Sequence, residues 1–526
     1  MWDKIKKFFK SESKKIINRL NLDSHKKINE NLKLNLNYIK DNLAASSDLV
    51  FREFYIGADK NLAAQLIFFD ALVKDELLQG KVLKPLMLEI TGNLEQTEIK
   101  EQVNDTLTEL SIPISGADII TSLEQVITEI LGGKAILLVD QVDKAFSLDV
   151  RDWQGREIDK PGIEASTRGP QEAFNESLQT NIALIRKRLQ DNNLMIEIDN
   201  IGKRTNTELA ITYIEDLAEP ELIDRIKYRL DNIDVDGILE IGQINQYLSD
   251  NWLTIFPLFQ TTERPDRVVG NLLEGRVVLM IDGSPFASIM PTTFVQFYQS
   301  PEDYYDQFYI GTALRILRFA AAFLTISLPA IYISLVSFRH ELIPHELAIS
   351  LAEVREGVPF PSYLEALIME ISLELLREAG IRLPGPIGET IGIVGGLILG
   401  DAAVAAGLVS PPMVIIVALT AIVSFLIPNY EAAVPLRLLR FPMMFLAASF
   451  STYGIMIGWL LILIHLCSLE SFGQPYFAPF APLKWSDLKD TIIRAPIRLL
   501  SKRPLSVPNQ QQDRQDRKGE DPNEME

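Results

Sequence analysis

LPGPIGETIGIVGGLILGDAAVAAGLVSPPMVIIVALTAIVSFLIPNY, residues 383–430, carries only two charges, Glu389 and Asp401. At about 1.5 Å rise per helical residue it is long enough to cross a bilayer of about 30 Å twice. Ser410-Pro411-Pro412 separates the two crossings. In the first, Gly392, Gly396 and Gly400 recur every fourth residue, the spacing at which helices approach closely in lipid. Asp401 lies inside the same crossing, and a carboxylate at membrane depth is a functional candidate by its cost alone.

Outward from this core, three further apolar stretches bring the clear spans to about 319–338, 391–409, 412–428 and 441–467. Arg315 and Arg318 precede an uncharged run, Phe319 to Phe338, as cytoplasmic arginines precede an entering helix. Residues 363–379, between a Ser362 cap and a Gly380 stop, form an amphipathic helix with Glu370, Glu374 and Glu378 on one face and Leu364, Ile368, Ile371 and Leu375 on another. It reads as an interfacial helix, or as a helix whose acidic face borders a water-filled vestibule. Topology stays open, because four crossings leave Arg437 and Arg440 on the far side, against the positive-inside tendency.

The rest of the chain is polar. Of 526 residues, 51 are Lys or Arg and 70 Asp or Glu, a net charge of −19 that excludes nucleic acid as the main partner. One cysteine, Cys467, makes no intrachain disulfide. The N-terminal MWDKIKKFFKSESKKI has no apolar core and is not a cleavable signal. Residues 1–45 read as a polar, amphipathic extension and 46–155 as an α/β subdomain, with helices at 60–78, 97–110 and 121–131 and a hairpin at 134–150. Residues 156–310 read as a second α/β subdomain, with a helix at 171–190, strands at 194–200 and 207–214, and a helix at 221–232 begun by Pro220. NLLEGRVVLMIDGSPFASIMP (271–291) repeats the order of EILGGKAILLVDQVDKAFSLDV (129–150), as though one sheet received two related hairpins. Residues 311–480 form an α-helical multi-pass membrane domain of four to six helices, and 481–526 a basic, then disordered, tail. Walker A, G-x-G-x-x-G, Cys-x-x-Cys and H-E-x-x-H patterns are absent, so no enzyme, cofactor or metal site is expected.

ERPDRV (263–268), GRVVLMIDGSPF (275–286), QSPEDYY (299–305), LRFAAAFLTISLPAIYISLVSF (317–338), REGVPFPSYLEALIMEISLELLREAGIRLPGPIGETIGIVGG (355–396) and SFGQPYFAPF (471–480) resemble the GerA-type A subunit of bacterial spore germinant receptors, over about residues 50–500. The resemblance implies a multi-pass protein of the spore inner membrane with its N-terminal region on the core side. It also implies a transporter-like B subunit and a lipoprotein C subunit as partners, a homo-oligomer, and release of monovalent cations. The stage V sporulation AF-type proteins share the membrane motifs and are the alternative family. On this reading Ile393, Leu397 and Asp401, at i, i+4 and i+8, line the pore, with Leu397 as an apolar gate and Asp401 drawing cations. Glu263, Arg264, Asp266 and Arg267 form a membrane-proximal motif of helix start or inter-subunit ion pairs. A non-conducting scaffold is the competing function.

Overall fold

The computed structural model describes residues 27–56, 62–88, 117–151, 161–162, 164, 168–382, 395–396 and 399–514. The chain folds into two compact units. The first holds Met1–Ile158, Phe174–Asp216 and Leu279–Pro285, and the second Asp159–Ala173, Leu217–Val278 and Phe286–Glu526.

The polar part is built on a duplicated plan. Strands β1 (Leu49–Ile56), β2 (Leu62–Phe69), β3 (Ala117–Ile120), β4 (Ala135–Val139) and β5 (Ala145–Leu148) form a sheet in the order β1-β2-β4-β5-β3. Strands β6 (Leu194–Ile201), β7 (Thr207–Ile214), β8 (Gln260–Thr262), β9 (Val277–Ile281) and β10 (Ala287–Met290) form a sheet in the corresponding order β6-β7-β9-β10-β8. Two sheets therefore receive one hairpin each; a single sheet does not receive both.

The first sheet is covered on both faces. Helices α1 (Leu32–Asn42) and α2 (Leu123–Leu131) pack on Ile67, Phe69, Ile136 and Leu138. Residues 78–86 pack on Leu66, Phe68, Leu137 and Phe146. Burial on both faces explains why 60–78 is not the helix its sequence suggests. LAAQLIFF is a strand whose two faces are both apolar, and a continuous apolar run does not reveal its period. The expected helix at 97–110 lies outside the described residues.

The duplication extends to a helix start. Asn29-Glu30-Asn31-Leu32 precedes α1, and Asn175-Glu176-Ser177-Leu178 precedes α3 (Leu178–Arg188). The Asn29 and Asn175 amides donate to Asn35 and Asn181 Oδ1, each at 2.9 Å. The Leu32 and Leu178 amides donate to Asp140 and Asp282, the first turn residues of the two hairpins, at 3.2 and 3.1 Å. Gln141 and Gly283, both at positive φ, donate back to the carbonyls of Glu30 and Glu176 at 2.7 Å. Each carboxylate sits where helix N–H groups lack partners, so each hairpin caps a helix distant in sequence. This is why the expected helix at 171–190 starts only at Leu178.

Helices α4 (Pro220–Asp231), α5 (Ile241–Leu248) and α6 (Pro265–Leu272) follow, the first and last begun by proline. Beyond them lie α7 (Phe308–Phe338), α8 (His345–Arg355), α9 (Ser362–Arg382), α10 (Pro411–Ser424) and α11 (Tyr430–Ser468). Among the described residues α7 and α11 are long and apolar enough to cross a membrane. Helix α11 is not one rod. Ser451 has φ 57°, ψ −137°, and a Cβ on Gly454 would overlap the Leu446 carbonyl. The chain therefore folds back sharply, 452–468 running against 430–450, where glycines let the backbones touch. A single crossing at 441–467 is replaced by two shorter arms. Helix α10 has 14 residues, below the roughly 20 that a crossing needs. Residues 504–514, expected to be disordered, form hydrogen bonds: the Gln510 amide to the Leu217 carbonyl at 2.9 Å, and the Ser506 amide to Asp487 at 2.8 Å.

In the first unit Arg186 donates to Asp48 at 2.8 and 2.9 Å and to Ser46 Oγ at 2.8 Å, with Arg186 and Asp48 both 3% exposed. Removing one side of a buried pair strands the other. Asp48→Ala is therefore expected to cost about 3–5 kcal/mol, read as a large fall in the unfolding temperature of the N-terminal region. Arg186→Met/Asp48→Leu is expected to recover most of that loss.

Candidate functional site

Helices α9 to α11 are built inside out. On α9, Ile371 and Leu375 are 45% and 67% exposed, while Glu365 and Glu370 are buried. On α10, Ile415 and Ile422 are 66% and 63% exposed, and Phe425 at its C-terminal cap 72%, while Thr420 and Ser424 are buried. The second arm of α11 exposes Leu460, Leu461 and Ile464. Water would select the reverse arrangement; a hydrocarbon surround selects this one.

The buried charges are paired. Arg440 on the first arm of α11 donates to Glu370. One turn away Arg437 donates to Glu374 at 3.0 Å, and Arg377 reaches the same carboxylate at 3.2 Å. Glu365 accepts from the Ser410 amide at 2.8 Å, Ser410 Oγ at 2.7 Å and Arg355 at 3.0 Å. It thus satisfies the N-terminus of α10 as well as an arginine. Arg437 and Arg440 are therefore held inside protein rather than in an exposed loop. Of the face expected to be acidic, Glu370 and Glu374 are neutralised by arginines of another helix. Glu378 pairs at the surface with Arg382 at 2.8 Å.

The remaining predicted residues fall unevenly. Ile393, Leu397 and Gly392 lie outside the described residues. Asp401 is exposed, and among the described residues no ion pair or hydrogen bond reaches it. Gly400 is buried beside Val414 of α10, where an added Cβ would make an ordinary 3.6 Å contact; at Gly396 nothing lies within 4 Å. Neither position is a close backbone approach among the described residues.

A second cluster lies at the foot of α7. Asp303 is fully buried and accepts from Arg315 Nε at 2.9 Å and from Arg318 at 2.8 and 2.9 Å. Arg315 also donates to Asp490 at 2.8 Å, and Tyr304 Oη to the same carboxylate at 2.8 Å. The two arginines read from the sequence as positive-inside flanks are thus internal ties to QSPEDYY and to the C-terminal segment. That motif was the only sequence signal for Asp303; nothing signalled Asp490.

The ERPDRV motif starts α6. Arg264 forks onto Asp266 at 3.0 and 2.7 Å, and Arg267 reaches Glu164 at 2.5 Å and the carbonyls of Gln296 and Gln299. Glu263 accepts from the Glu164 amide at 2.8 Å. Glu164, Glu240, Glu263 and Glu431 line a cavity of about 230 Å³. Among the described residues no group of side chains has metal-binding geometry. Burial raises the pKa of Asp266, but the hydrogen bonds from Arg264 and from Tyr305 Oη at 2.7 Å outweigh it, and the net shift is downward.

Helices with charges inside and apolar side chains outside, following a polar α/β part in the chain, have the pattern of a membrane-associated protein. The chain belongs to the Bacillus/Clostridium GerA spore germination protein family, whose model matches residues 37–506. It is 41% identical over 489 residues to the uncharacterized membrane protein YfkQ of Bacillus subtilis, covering 93% of this chain and 94% of that one. It is 40% identical over 488 residues to spore germination protein KA of the same organism, covering 93% and 89%. The crystal structure of the N-terminal domain of the A subunit of the Bacillus megaterium spore germinant receptor GerK3 aligns at 30% identity, over 52% of this chain and all of that one, with a TM-score of 0.40.

Two outcomes follow from this geometry. Arg440→Met leaves Glu370 unpaired among apolar neighbours and is expected to cost about 3–5 kcal/mol, whereas Arg440→Met/Glu370→Leu recovers most of it, measured as thermal stability in detergent. A double variant as unstable as the single one would show that the pair is incidental. For Asp266, a carboxyl whose folded pKa is depressed stabilises above its unfolded value, about 3.9, and loses that contribution as pH falls through the folded value. Asp266→Asn is expected to flatten the acid limb of the stability profile while leaving the alkaline limb unchanged.

Proposed function

We propose that the chain is an A-type subunit of a nutrient germinant receptor. It lies in the spore inner membrane through several helices, with its N-terminal α/β part on the core side. Copies assemble with each other, with a transporter-like B subunit and with a lipoprotein C subunit, around a path for monovalent cations that opens when nutrient binds.

Family membership and the names of the relatives support the germination role. The observation that carries the conducting role is the contrast among carboxylates. Glu365, Glu370 and Glu374 are each held by arginine, so they fix the helices and attract no ion. Asp401 is exposed on a helical segment that includes 399–405 and has no ion pair among the described residues. A ring of such carboxylates, one per subunit, favours cations, and the apolar Leu397 one turn earlier blocks hydrated ions while the ring is narrow.

The test is cation flux through the receptor complex reconstituted in vesicles. Asp401→Asn keeps the side-chain volume and is expected to lower nutrient-triggered flux about tenfold, equivalent to roughly 1.4 kcal/mol at the limiting step, with normal assembly. Leu397→Ala is expected to leak without nutrient. Absence of flux from the unsubstituted complex, at normal assembly, would favour the scaffold function. Flux that is normal in Asp401→Asn would remove that residue from the path.

A further inference from the structure

We propose that the loop 251–255, Asn-Trp-Leu-Thr-Ile, is a lipid-docking surface that seats the second compact unit on the headgroup–acyl boundary of the bilayer. The proposal rests on the membrane reading above.

The first observation is exposure. Trp252, Leu253 and Ile255 are 81%, 72% and 44% exposed. Scattered apolar residues at a surface need no explanation, but three within four positions form a tip. The tip is held stiffly from both ends. On one side Asp250 takes hydrogen bonds from Arg229 at 2.5 Å and from the Phe472 amide at 2.6 Å. On the other, Phe256 is buried against Phe294, with ring centroids 6.5 Å apart. Within the loop the Leu253 amide donates to Asn251 Oδ1 at 3.1 Å, and the Phe256 amide to Thr254 Oγ1 at 3.2 Å. A loop pinned this way does not turn its apolar side chains inward.

The second observation is level. Thr254 Oγ1 lies 3.0 Å from His465 Nε2, and the Phe256 ring lies 6.0 Å from the same imidazole. His465 is near the end of the second arm of α11, which runs antiparallel to α7. Ser334 meets Ser451 and Thr452 at 2.9 and 3.0 Å, and Trp459 Nε1 donates to Ser327 at 2.8 Å. Six residues beyond Trp459, the same register sets His465 level with about Ala321. The uncharged run of α7 begins at Phe319, and the arginines that precede it, Arg315 and Arg318, are tied to Asp303. Apolar slab and polar foot therefore meet at the height of His465, and the loop is bonded there.

The occupant follows from continuity. Leu460, Leu461 and Ile464 are exposed along the arm up to His465, and Trp252, Leu253 and Ile255, exposed likewise, flank the Thr254 that meets this histidine. Tryptophan is the side chain favoured at this depth, with an apolar ring and one N–H for the wet side. The loop holds no basic residue, so its attraction to lipid is hydrophobic and independent of lipid charge.

The experiment uses the full chain in lipid nanodiscs with Cys467→Ala as background. One cysteine at a time is introduced and labelled with a polarity-sensitive fluorophore: Leu253→Cys at the tip, Leu461→Cys on the exposed arm of α11, and Glu53→Cys on the exposed side of β1. Quenchers are spin-labelled lipids, shallow or deep, and aqueous iodide. The expected result is a blue-shifted label at 253, quenched by the shallow lipid more than by the deep one. The label at 461 is quenched by the deep lipid, and the label at 53 by iodide alone. A label at 253 open to iodide, with 461 still quenched by lipid, overturns the docking surface and leaves the membrane reading standing. A label at 253 closed to lipid and iodide alike overturns it in favour of contact with a second copy. Absence of lipid quenching at both 253 and 461 overturns the docking surface and the membrane reading together.

Discussion

The ion pair between Arg440 and Glu370 sets the terms for the helical region. Both side chains are almost fully buried, on helices whose other faces carry exposed leucine, isoleucine and phenylalanine. Bringing an isolated charge into such surroundings is prohibitive; bringing a hydrogen-bonded pair is tolerable. The pair therefore dictates which faces of α9 and of the first arm of α11 meet. Arg437 with Glu374 repeats the contact one turn along, and Glu365 with Arg355 and Ser410 extends it to the start of α10. The registers of α8, α10 and the first arm of α11 on α9 thus rest chiefly on Glu365 and Glu370, buried carboxylates that an apolar exterior makes costly to release, while Glu374 is partly exposed.

A comparable device holds the foot of α7. Asp303 lies between Arg315 and Arg318, and Arg315 goes on to Asp490 in the C-terminal segment. One buried carboxylate thus links a short helical turn, the base of a long apolar helix and a strap remote in sequence. A force applied to any of the three is felt by the other two, because separating them strands a charge away from water. This gives the second unit a mechanical continuity that apolar contact, which is non-directional, does not provide.

The plan of the polar part was partly legible. Hairpins at 135–148 and 277–290, whose strands are buried at every position, were legible from the polar turn between two short apolar runs, and strands at 194–201 and 207–214 and the proline-led helices from their flanking turn residues. The strand Leu62–Phe69 was not legible, because burial on both faces erases alternation. The duplication was seen only at its hairpins. Its other half, Asn29 to Asn35 against Asn175 to Asn181, is carried by hydrogen bonds to Asp140 and Asp282, over a hundred residues away. In the helical region, hydropathy located the apolar stretches but not the fold-back at Ser451, which two glycines permit without any break in apolarity. Arg437 and Arg440 looked like loop residues because a linear scan of charge has no means of finding Glu370 and Glu374. The gate residues Ile393 and Leu397 fall outside the described residues, so the expectation for them rests on sequence alone.

The central physical claim is that lipid, not water, surrounds α9, α10 and the second arm of α11. Carbene labelling from a lipid-soluble diazirine, followed by peptide mass spectrometry of the full chain in native membranes, tests it directly. The account predicts heavy labelling at Ile371 and Leu375, at Ile415, Ile422 and Phe425, and at Leu460, Leu461 and Ile464, with none on β6 and β7. Labelling absent from α9 and present on the second arm of α11 would contradict it, because α9 would then face water or protein and its buried charges would need another explanation.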